Sequence, residues 1–134
     1  METADLYDLA DQRGYIVFYH DLPLTQSVSL DNGCIGLDIH LQGALEKEHL
    51  AHELGHCEYG GFYNRYSRLD IREKSERRAN KWAYMKLVPI GELRQAVLDG
   101  CREPWELAER FGVSCSFMCD IIAFYQNAIA TIGT

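Results

Sequence analysis

The sequence predicts an α+β fold in which a small N-terminal antiparallel β-sheet of about three strands packs on a helical bundle. The first observation is that short runs of aromatic and β-branched residues, which favour strands, are concentrated before Gly43. The second is that apolar residues after Gly43 recur at helical spacing, with glycine or proline where the runs end. A chain of 134 residues with 47% hydrophobic and 25% charged residues suits one globular domain.

The N-terminal part combines one helix with the predicted strands. Thr3 to Arg13 has helical spacing and is followed by Gly14, which readily adopts the left-handed conformation that ends helices. Tyr15 to Tyr19 reads YIVFY and is predicted to be a strand. Ser27 to Leu30 and Cys34 to Ile39 flank an Asp-Asn-Gly turn, which predicts a hairpin. We expect these successive short strands to form the antiparallel sheet.

The rest of the chain is predicted to be helical. Pro89, Gly100 and Gly112 divide this part, and Ser114 is suited to cap the last helix. The predicted helices are Ala44 to Tyr59, a second from Asp70 to the residues before Pro89, Ile90 to Leu98, Pro104 to Phe111, and a last helix after Ser114. We expect a single domain in three parts: the N-terminal helix and sheet (1–43), a helix pair (44–88) and the C-terminal helices (89–134).

Charge and cysteine content narrow the expected partners and compartment. The net charge of -7 disfavours binding to a phosphate backbone, which depends on Lys and Arg. The N-terminus is acidic where a secretory signal would be basic, and no apolar run reaches the roughly 18 residues of a membrane-spanning helix. The five cysteines form no CxxC pair, which is typical of reduced thiols. We therefore expect a cytoplasmic protein that does not bind membranes and does not bind nucleic acid directly.

Residues 52 to 56 read His-Glu-Leu-Gly-His within a predicted helix. His52 and His56 then lie one turn apart on the same face, a spacing at which two imidazoles can bind one metal ion. Glu53 leaves the helix in another direction, so it can act as general base on water held by the metal. The alternative is an exposed helix whose histidines lie in solvent.

A catalytic zinc site needs a third protein ligand and keeps a fourth position for water. Nineteen residues separate His56 from Glu76, which lies on the inward face of the next predicted helix. A bound cation would compensate the charge of this inward carboxylate. Asn80, one turn further, is placed to accept a hydrogen bond from His52 and so to fix the orientation of the imidazole. The predicted cofactor is one zinc ion per chain, although the same ligands also bind Mn²⁺ or Fe²⁺.

The sequence around these residues resembles the ImmA/IrrE family of metallopeptidases, found in bacteria and their mobile elements. The matching segments are Ala51 to His56 (AHELGH), Glu76 to Ala83 (ERRANKWA), Lys86 to Pro89 (KLVP) and Glu106 to Ser114 (ELAERFGVS). The resemblance implies a minimal zincin-like metallopeptidase with a gluzincin-type site. In that site His52, His56 and Glu76 bind zinc and Glu53 is the catalytic base.

The resemblance also implies a substrate. Family members typically cleave a helix-turn-helix transcriptional repressor, which releases a silenced phage or other mobile element or a stress response. We therefore expect a zinc-dependent metallo-endopeptidase whose protein substrate is such a repressor.

Further residues are predicted to line the active site. Candidates for contact with the substrate or for stabilising an oxyanion are Tyr59, Tyr63, Tyr66 and His40, for which ordinary packing is the alternative. The strand Cys34 to Ile39 is expected to be an edge strand that pairs with extended substrate backbone. His49 is expected at the rim, because a fourth protein ligand would close the site.

Two other functions fit parts of the sequence. Glu106 to Tyr125 has the pattern of a helix-turn-helix unit, which suggests a DNA-binding protein. Against it, Ser114 to Asp120 would form the recognition helix and contains none of the Arg, Lys, Asn or Gln residues that usually contact bases. A non-catalytic anti-repressor that uses the metal for stability is the other alternative.

Overall fold

The structure is a computed structural model that describes residues 1–59, 62–63 and 66–133, with the backbone alone for 128–133. In chain order, its elements are α1 (Thr3–Arg13), β1 (Ile16–His20), β2 (Ser27–Ser29), β3 (Cys34–Asp38), α2 (Gly43–Tyr59), α3 (Leu69–Leu87), α4 (Ile90–Leu98), α5 (Pro104–Phe111) and α6 (Cys115–Gly133). The predicted fold class is confirmed, because a three-stranded sheet near the N-terminus packs on helices.

The direction of one strand differs from the prediction. The hairpin is present, with β2 antiparallel to β3 and Ser27 opposite Leu37. Strand β1 instead lies parallel to β3, with Ile16 opposite Cys34, so the sheet is mixed rather than antiparallel. The reason is topological: the chain after β1 crosses to the far edge of the sheet, and β3 returns between the two earlier strands.

The strand order β1-β3-β2 also corrects the prediction that Cys34 to Ile39 forms an edge strand. Strand β3 lies in the centre, where both of its backbone edges are paired and Ile35 and Leu37 are fully buried. The hairpin pattern predicted the pairing of β2 with β3 but not the approach of β1 from the other side. The edge strand nearest the helix pair is therefore β2.

The core lies between the sheet and the helices. Helix α2 contributes Leu50, Ala51 and Leu54, all fully buried. These residues join a cluster that also contains Leu6, Ala10, Ile35, Leu37, Ala83, Leu87, Val88, Ala96, Leu107, Ala108, Val113, Met118 and Ile121. Because this stripe of α2 faces the core, its neighbouring stripe faces the cleft described below.

Helices α2 and α3 approach each other closely at Gly55. A Cβ atom built on this glycine would lie 2.7 Å from the backbone oxygen of Ala79. Such a contact is too short for a side chain, so glycine permits the two helix backbones to meet here. This contact sets the spacing between the two helices that carry the predicted metal ligands.

The turn between α5 and α6 is held against α2 by two adjacent, buried charged residues. Lys47 Nζ donates a hydrogen bond to the carbonyl oxygen of Phe111 at 2.6 Å. The carboxylate of Glu48 accepts hydrogen bonds from the hydroxyl of Ser114 at 2.8 Å and from its backbone N–H at 3.0 Å. We refer to Phe111 to Ser114 as the C-terminal turn. Across the part of the chain that the structure describes, no helix is long and apolar enough to cross a membrane.

Candidate metal centre

A cleft of about 420 Å³ opens between the edge strand β2 and the helices α2 and α3. Its lining residues are Thr25, Ser27, Val28, Ser29, His49, His52, Glu53, His56, Phe62, Tyr63 and Glu76. All three predicted metal ligands and the predicted base are thus at one cleft. Asn80 lies directly behind them, within hydrogen-bond distance of His52.

The three predicted ligands converge at the surface of this cleft. His52 Nε2 lies 2.9 Å from Glu76 Oε2, and His56 Nε2 lies 3.0 Å from Glu76 Oε1. The ligand atoms of the three residues all lie within 4.8 Å of one another. The side chain of His56 is 7% exposed and that of Glu76 38% exposed, so the group is anchored in the protein but reachable from solvent.

The Nδ1 atoms of both imidazoles are engaged on the side away from Glu76. His52 Nδ1 is 2.8 Å from the amide oxygen of Asn80, as the sequence predicted. His56 Nδ1 is 3.2 Å from the hydroxyl of Ser75, a partner that the sequence analysis missed. Such partners fix the ring orientation and leave Nε2 for a metal. Ser75 lies four positions before the buried Ala79, so its place on the inward face of α3 could be predicted from helical spacing.

These contacts shift the pKa values of Glu76 and His52. Hydrogen bonds from His52 and then His56 hold the pKa of Glu76 far below its usual range. Burial opposes protonation of His52, but its hydrogen bond to Glu76 and the charge of Glu53 outweigh this effect and raise the pKa of His52. A carboxylate that is hydrogen-bonded to two imidazoles is an arrangement that a cation can replace.

Tyr63 is the one predicted tyrosine that contacts this group among the described residues. Its hydroxyl donates a hydrogen bond to Glu76 Oε1 at 2.5 Å. Burial, followed by this hydrogen bond, raises the pKa of Tyr63 to about 12, so the phenol keeps its proton. The other candidates, Tyr59, Tyr66 and His40, are exposed and are not among the residues that line the cleft.

Glu53 lies in the same cleft but outside the group of three. Its side chain is buried, and its Oε2 accepts a hydrogen bond of 2.6 Å from the hydroxyl of Ser27 on β2. The same hydroxyl lies 3.0 Å from His49 Nδ1. His49, which was predicted at the rim, lines the cleft, and so does Ser27, which was not among the predicted site residues. Only helical spacing could have indicated that His49 lies near Glu53, because residues four positions apart share a helix face.

The donor set fits a metal ion. Two imidazole nitrogens and one carboxylate are the protein ligands of many open catalytic zinc sites. The Nδ1 partners of both histidines and the opening to solvent agree with that use. The group could therefore hold a metal ion with a position left for water or substrate.

The fold resembles that of a known protein. A Mycobacterium tuberculosis transcriptional regulator superposes with a TM-score of 0.69 and is 19% identical in sequence. The match covers 87% of this chain and 39% of that one, so this chain spans well under half the length of the regulator. At this identity the likeness concerns the fold alone. No curated protein sequence matches the chain significantly.

A family match covers most of the sequence. The family model described as IrrE N-terminal-like domain, of the M78 peptidases, matches residues 10–121. This range includes every residue of the His-His-Glu group together with Glu53 and Asn80, and it confirms the predicted resemblance. The chain therefore belongs to the family of IrrE N-terminal-like domains, the M78 peptidase family.

Proposed function

We propose that the chain is a zinc-dependent metallo-endopeptidase that cleaves a helix-turn-helix transcriptional repressor. The observation that carries the proposal is the convergence of His52, His56 and Glu76 in an open cleft, with the carboxylate of Glu53 beside them. Membership of a peptidase family supports the same reaction.

The metal is proposed to be held by the three converging residues, one ion per chain. Zinc suits imidazole and carboxylate ligands, and Mn²⁺ or Fe²⁺ are the alternatives. When bound, zinc supplies a Lewis acid that polarises the substrate carbonyl and makes water a better nucleophile. Asn80 and Ser75 hold the imidazoles through Nδ1 so that both Nε2 atoms face the ion.

Glu53 is proposed to be the general base and acid. Its buried carboxylate takes a proton from the attacking water and delivers it to the leaving amine. Tyr63 is the best-placed candidate to donate a hydrogen bond to the developing oxyanion, because its phenol keeps its proton and lies at the cleft. To do so it must exchange its hydrogen bond to Glu76 for one to the substrate.

The substrate is proposed to be a protein that presents an extended segment at the β2 edge. Strand β2 has one backbone edge paired with β3, and its residues line the cleft. An added substrate strand would bring a peptide bond past Glu53. A basic, DNA-binding repressor suits a chain with a net charge of -7. We propose the cytoplasm as the compartment, because such a repressor acts there.

The metal is tested first. Wild-type protein and Glu76→Ala, both purified without a metal-affinity tag, are analysed by elemental mass spectrometry after zinc loading and removal of excess. About one zinc per chain in the wild type and a sharp loss in Glu76→Ala are expected, because the variant lacks one of three ligands. A wild type that binds no zinc would contradict the proposal.

The reaction is tested with a proteome-derived peptide library and with purified helix-turn-helix repressors, using mass spectrometry to detect new termini. Zinc-loaded wild type is expected to cut, and Glu53→Gln to cut at least about 100-fold more slowly while keeping its zinc, because a general base contributes on that scale. Equal cleavage by both proteins would refute the role of Glu53. Stoichiometric zinc with repressor binding and no cleavage would instead favour the non-catalytic anti-repressor.

A further inference from the structure

A chain of hydrogen bonds leads from helix α2 to strand β2 and back to the same helix. His49 Nδ1 lies 3.0 Å from the hydroxyl oxygen of Ser27. That hydroxyl donates to Glu53 Oε2 at 2.6 Å. Ser27 is 9% exposed and Glu53 is 5% exposed, so the contact is shielded from water.

The direction of each hydrogen bond is fixed by chemistry. The Ser27 hydroxyl donates to Glu53 Oε2, so its single proton points to that carboxylate oxygen. The hydroxyl oxygen must then accept a hydrogen bond from His49, which requires a proton on Nδ1. Burial lowers the pKa of His49, which favours its neutral form, and the contact with Ser27 then selects the tautomer with its proton on Nδ1.

The consequence for Glu53 is that Oε2 is held by Ser27, whereas Oε1 has no hydrogen-bond partner among the residues that the structure describes. A carboxylate on a flexible side chain can rotate away from the reacting atoms or turn towards a nearby cation. Ser27 belongs to a different element from Glu53 and is fixed by the pairing of β2 with β3. A hydrogen bond from it therefore resists this rotation, and the second bond from His49 holds the hydroxyl in place.

We propose that Ser27 and His49 are positioning residues for the general base, fixing Glu53 Oε2 so that Oε1 faces the reacting water. This inference rests on the proposed metallopeptidase function. It adds two residues that neither the HExxH motif nor the third ligand includes. Ser27 also lies on the strand at which the substrate is proposed to pair, so strand β2 orders both the base and the substrate.

The test uses acetohydroxamate as a probe, with no need for a known substrate. A hydroxamic acid loses its hydroxyl proton when it chelates zinc, and a well-placed carboxylate that accepts this proton strengthens binding. Affinities for zinc and for acetohydroxamate are measured by calorimetry on each protein. Glu53→Gln provides the reference for loss of the base.

Two matched pairs of variants separate the hydrogen bonds from general effects on folding. Ser27→Ala removes the hydroxyl and Ser27→Thr keeps it. His49→Leu removes the donor, and His49→Asn keeps a donor near the position of Nδ1. We expect Ser27→Ala and His49→Leu to weaken acetohydroxamate binding, Ser27→Ala by about tenfold, the size of one hydrogen bond to a charged group. Ser27→Thr and His49→Asn should restore it, with zinc affinity unchanged throughout.

The outcomes distinguish the positioning role of Ser27 and His49 from the proposed metallopeptidase function. If Glu53→Gln weakens acetohydroxamate binding but both Ser27→Ala and His49→Leu bind it like the wild type, the positioning role is wrong and the peptidase proposal stands. If the wild type takes up no zinc, both are wrong. If Ser27→Ala does not fold, the comparison of His49→Leu with His49→Asn tests the positioning role instead.

The tautomer gives a second readout on zinc-free protein. Nitrogen-15 NMR of labelled histidine should show the proton of neutral His49 on Nδ1, and Ser27→Ala should shift it towards Nε2, the more stable position in water. A His49 protonated on Nε2 in the wild type would overturn the proposed hydrogen-bond chain.

Discussion

The helix pair α2–α3 and the C-terminal turn both carry sequence patterns typical of functional sites, but the side chains of the two patterns have different surroundings. In the helix pair, the patterned side chains His52, His56 and Glu76 face an open cleft. In the C-terminal turn, the hydroxyl and N–H of Ser114 bond to Glu48 on α2. The same helix thus presents cleft residues on one face and an anchor for the C-terminal turn on another.

The two patterns constrain their surroundings to different degrees. Side chains that bind a metal ion or a substrate must remain accessible to it. The apolar positions of a helix-turn-helix pattern, in contrast, can be explained by packing in the core alone. The apolar positions Met118 and Ile121 of α6 are fully buried, so this part of the pattern packs in the core. The predictions below separate the two regions by measuring zinc affinity and stability on the same variants.

The largest effect is expected at Gly55, where a change should affect both stability and zinc binding. A Cβ atom in Gly55→Ala meets the backbone of Ala79 at 2.7 Å, and the two helices must separate to admit it. We expect a loss of about 1–3 kcal/mol in the free energy of unfolding, typical of overpacking. Zinc affinity should fall as well, because Glu76 moves with α3. Urea unfolding and zinc titration measure these two effects.

Gly91→Ala is the matched control for Gly55→Ala. Gly91 lies in helix α4, and a Cβ atom there has no described neighbour within 4 Å. The same substitution should leave zinc affinity unchanged and raise stability by up to about 1 kcal/mol, because alanine favours helix more than glycine. Equal behaviour of the two variants would contradict the close helix contact.

The next effect is expected on zinc affinity alone. Asn80→Ala removes the acceptor from His52 Nδ1 and should weaken zinc binding by about 10–100-fold, as for other partners of metal-bound histidines. Asn80→Asp keeps an acceptor and should retain most of the affinity. Competition with a zinc chelator gives both constants. An Asn80→Ala protein with wild-type affinity would remove Asn80 from the site.

A third effect concerns pH. Because the pKa of His52 is raised in the zinc-free protein, its imidazolium must lose a proton before Nε2 can bind the metal. Zinc affinity should therefore fall as the pH drops through this raised pKa, by about tenfold per pH unit for that one proton. The pKa of Glu76 is lowered, so its carboxylate stays ionised and adds no further dependence near neutral pH.

The pH effect is measured by titrating zinc at several pH values in buffers with different ionisation enthalpies. Calorimetry then gives both the affinity and the number of protons released. An affinity that does not change with pH, with no proton release, would contradict the raised pKa of His52.

The smallest effect is expected in the C-terminal turn, on stability alone. Ser114→Ala removes the hydroxyl hydrogen bond to the buried Glu48 and should lower the free energy of unfolding by about 1 kcal/mol. Zinc affinity should not change. Ser116→Ala, at an exposed position of α6, is the control and should be neutral. A Ser114→Ala protein that loses zinc would mean that the two regions are coupled.

Helical periodicity explains how much of the site could be predicted. His52 and His56 had to share a face of α2, and Glu76 and Asn80 had to share a face of α3. Together with the inward position of Glu76 and the family resemblance, this spacing predicted the proximity of all four, although their roles remain predictions. For the tyrosines, the sequence offered only their distance along the chain from His56. In the structure Tyr63 lines the cleft and Tyr66 does not.

The features that the sequence did not predict depend on contacts between segments that are distant along the chain. Strand β2 has only three residues, and its position beside α2 follows from how the whole sheet packs, which no local pattern encodes. Ser27 could therefore not be linked to Glu53 from the sequence. The parallel pairing of β1 with β3 was missed for the same reason, since Asn-Gly turns predict hairpins and not the path of the longer connection.

Gly55 also limits how the sequence of this chain can vary. The two positions between Glu53 and His56 are written as arbitrary in the HExxH motif, yet they differ in the freedom they have. Leu54 fills the core, where other apolar residues of similar volume can substitute, while any side chain at position 55 forces the two helices apart and lowers stability. A library randomised at both positions and selected for folding should thus return varied apolar residues at 54 and almost uniformly glycine at 55.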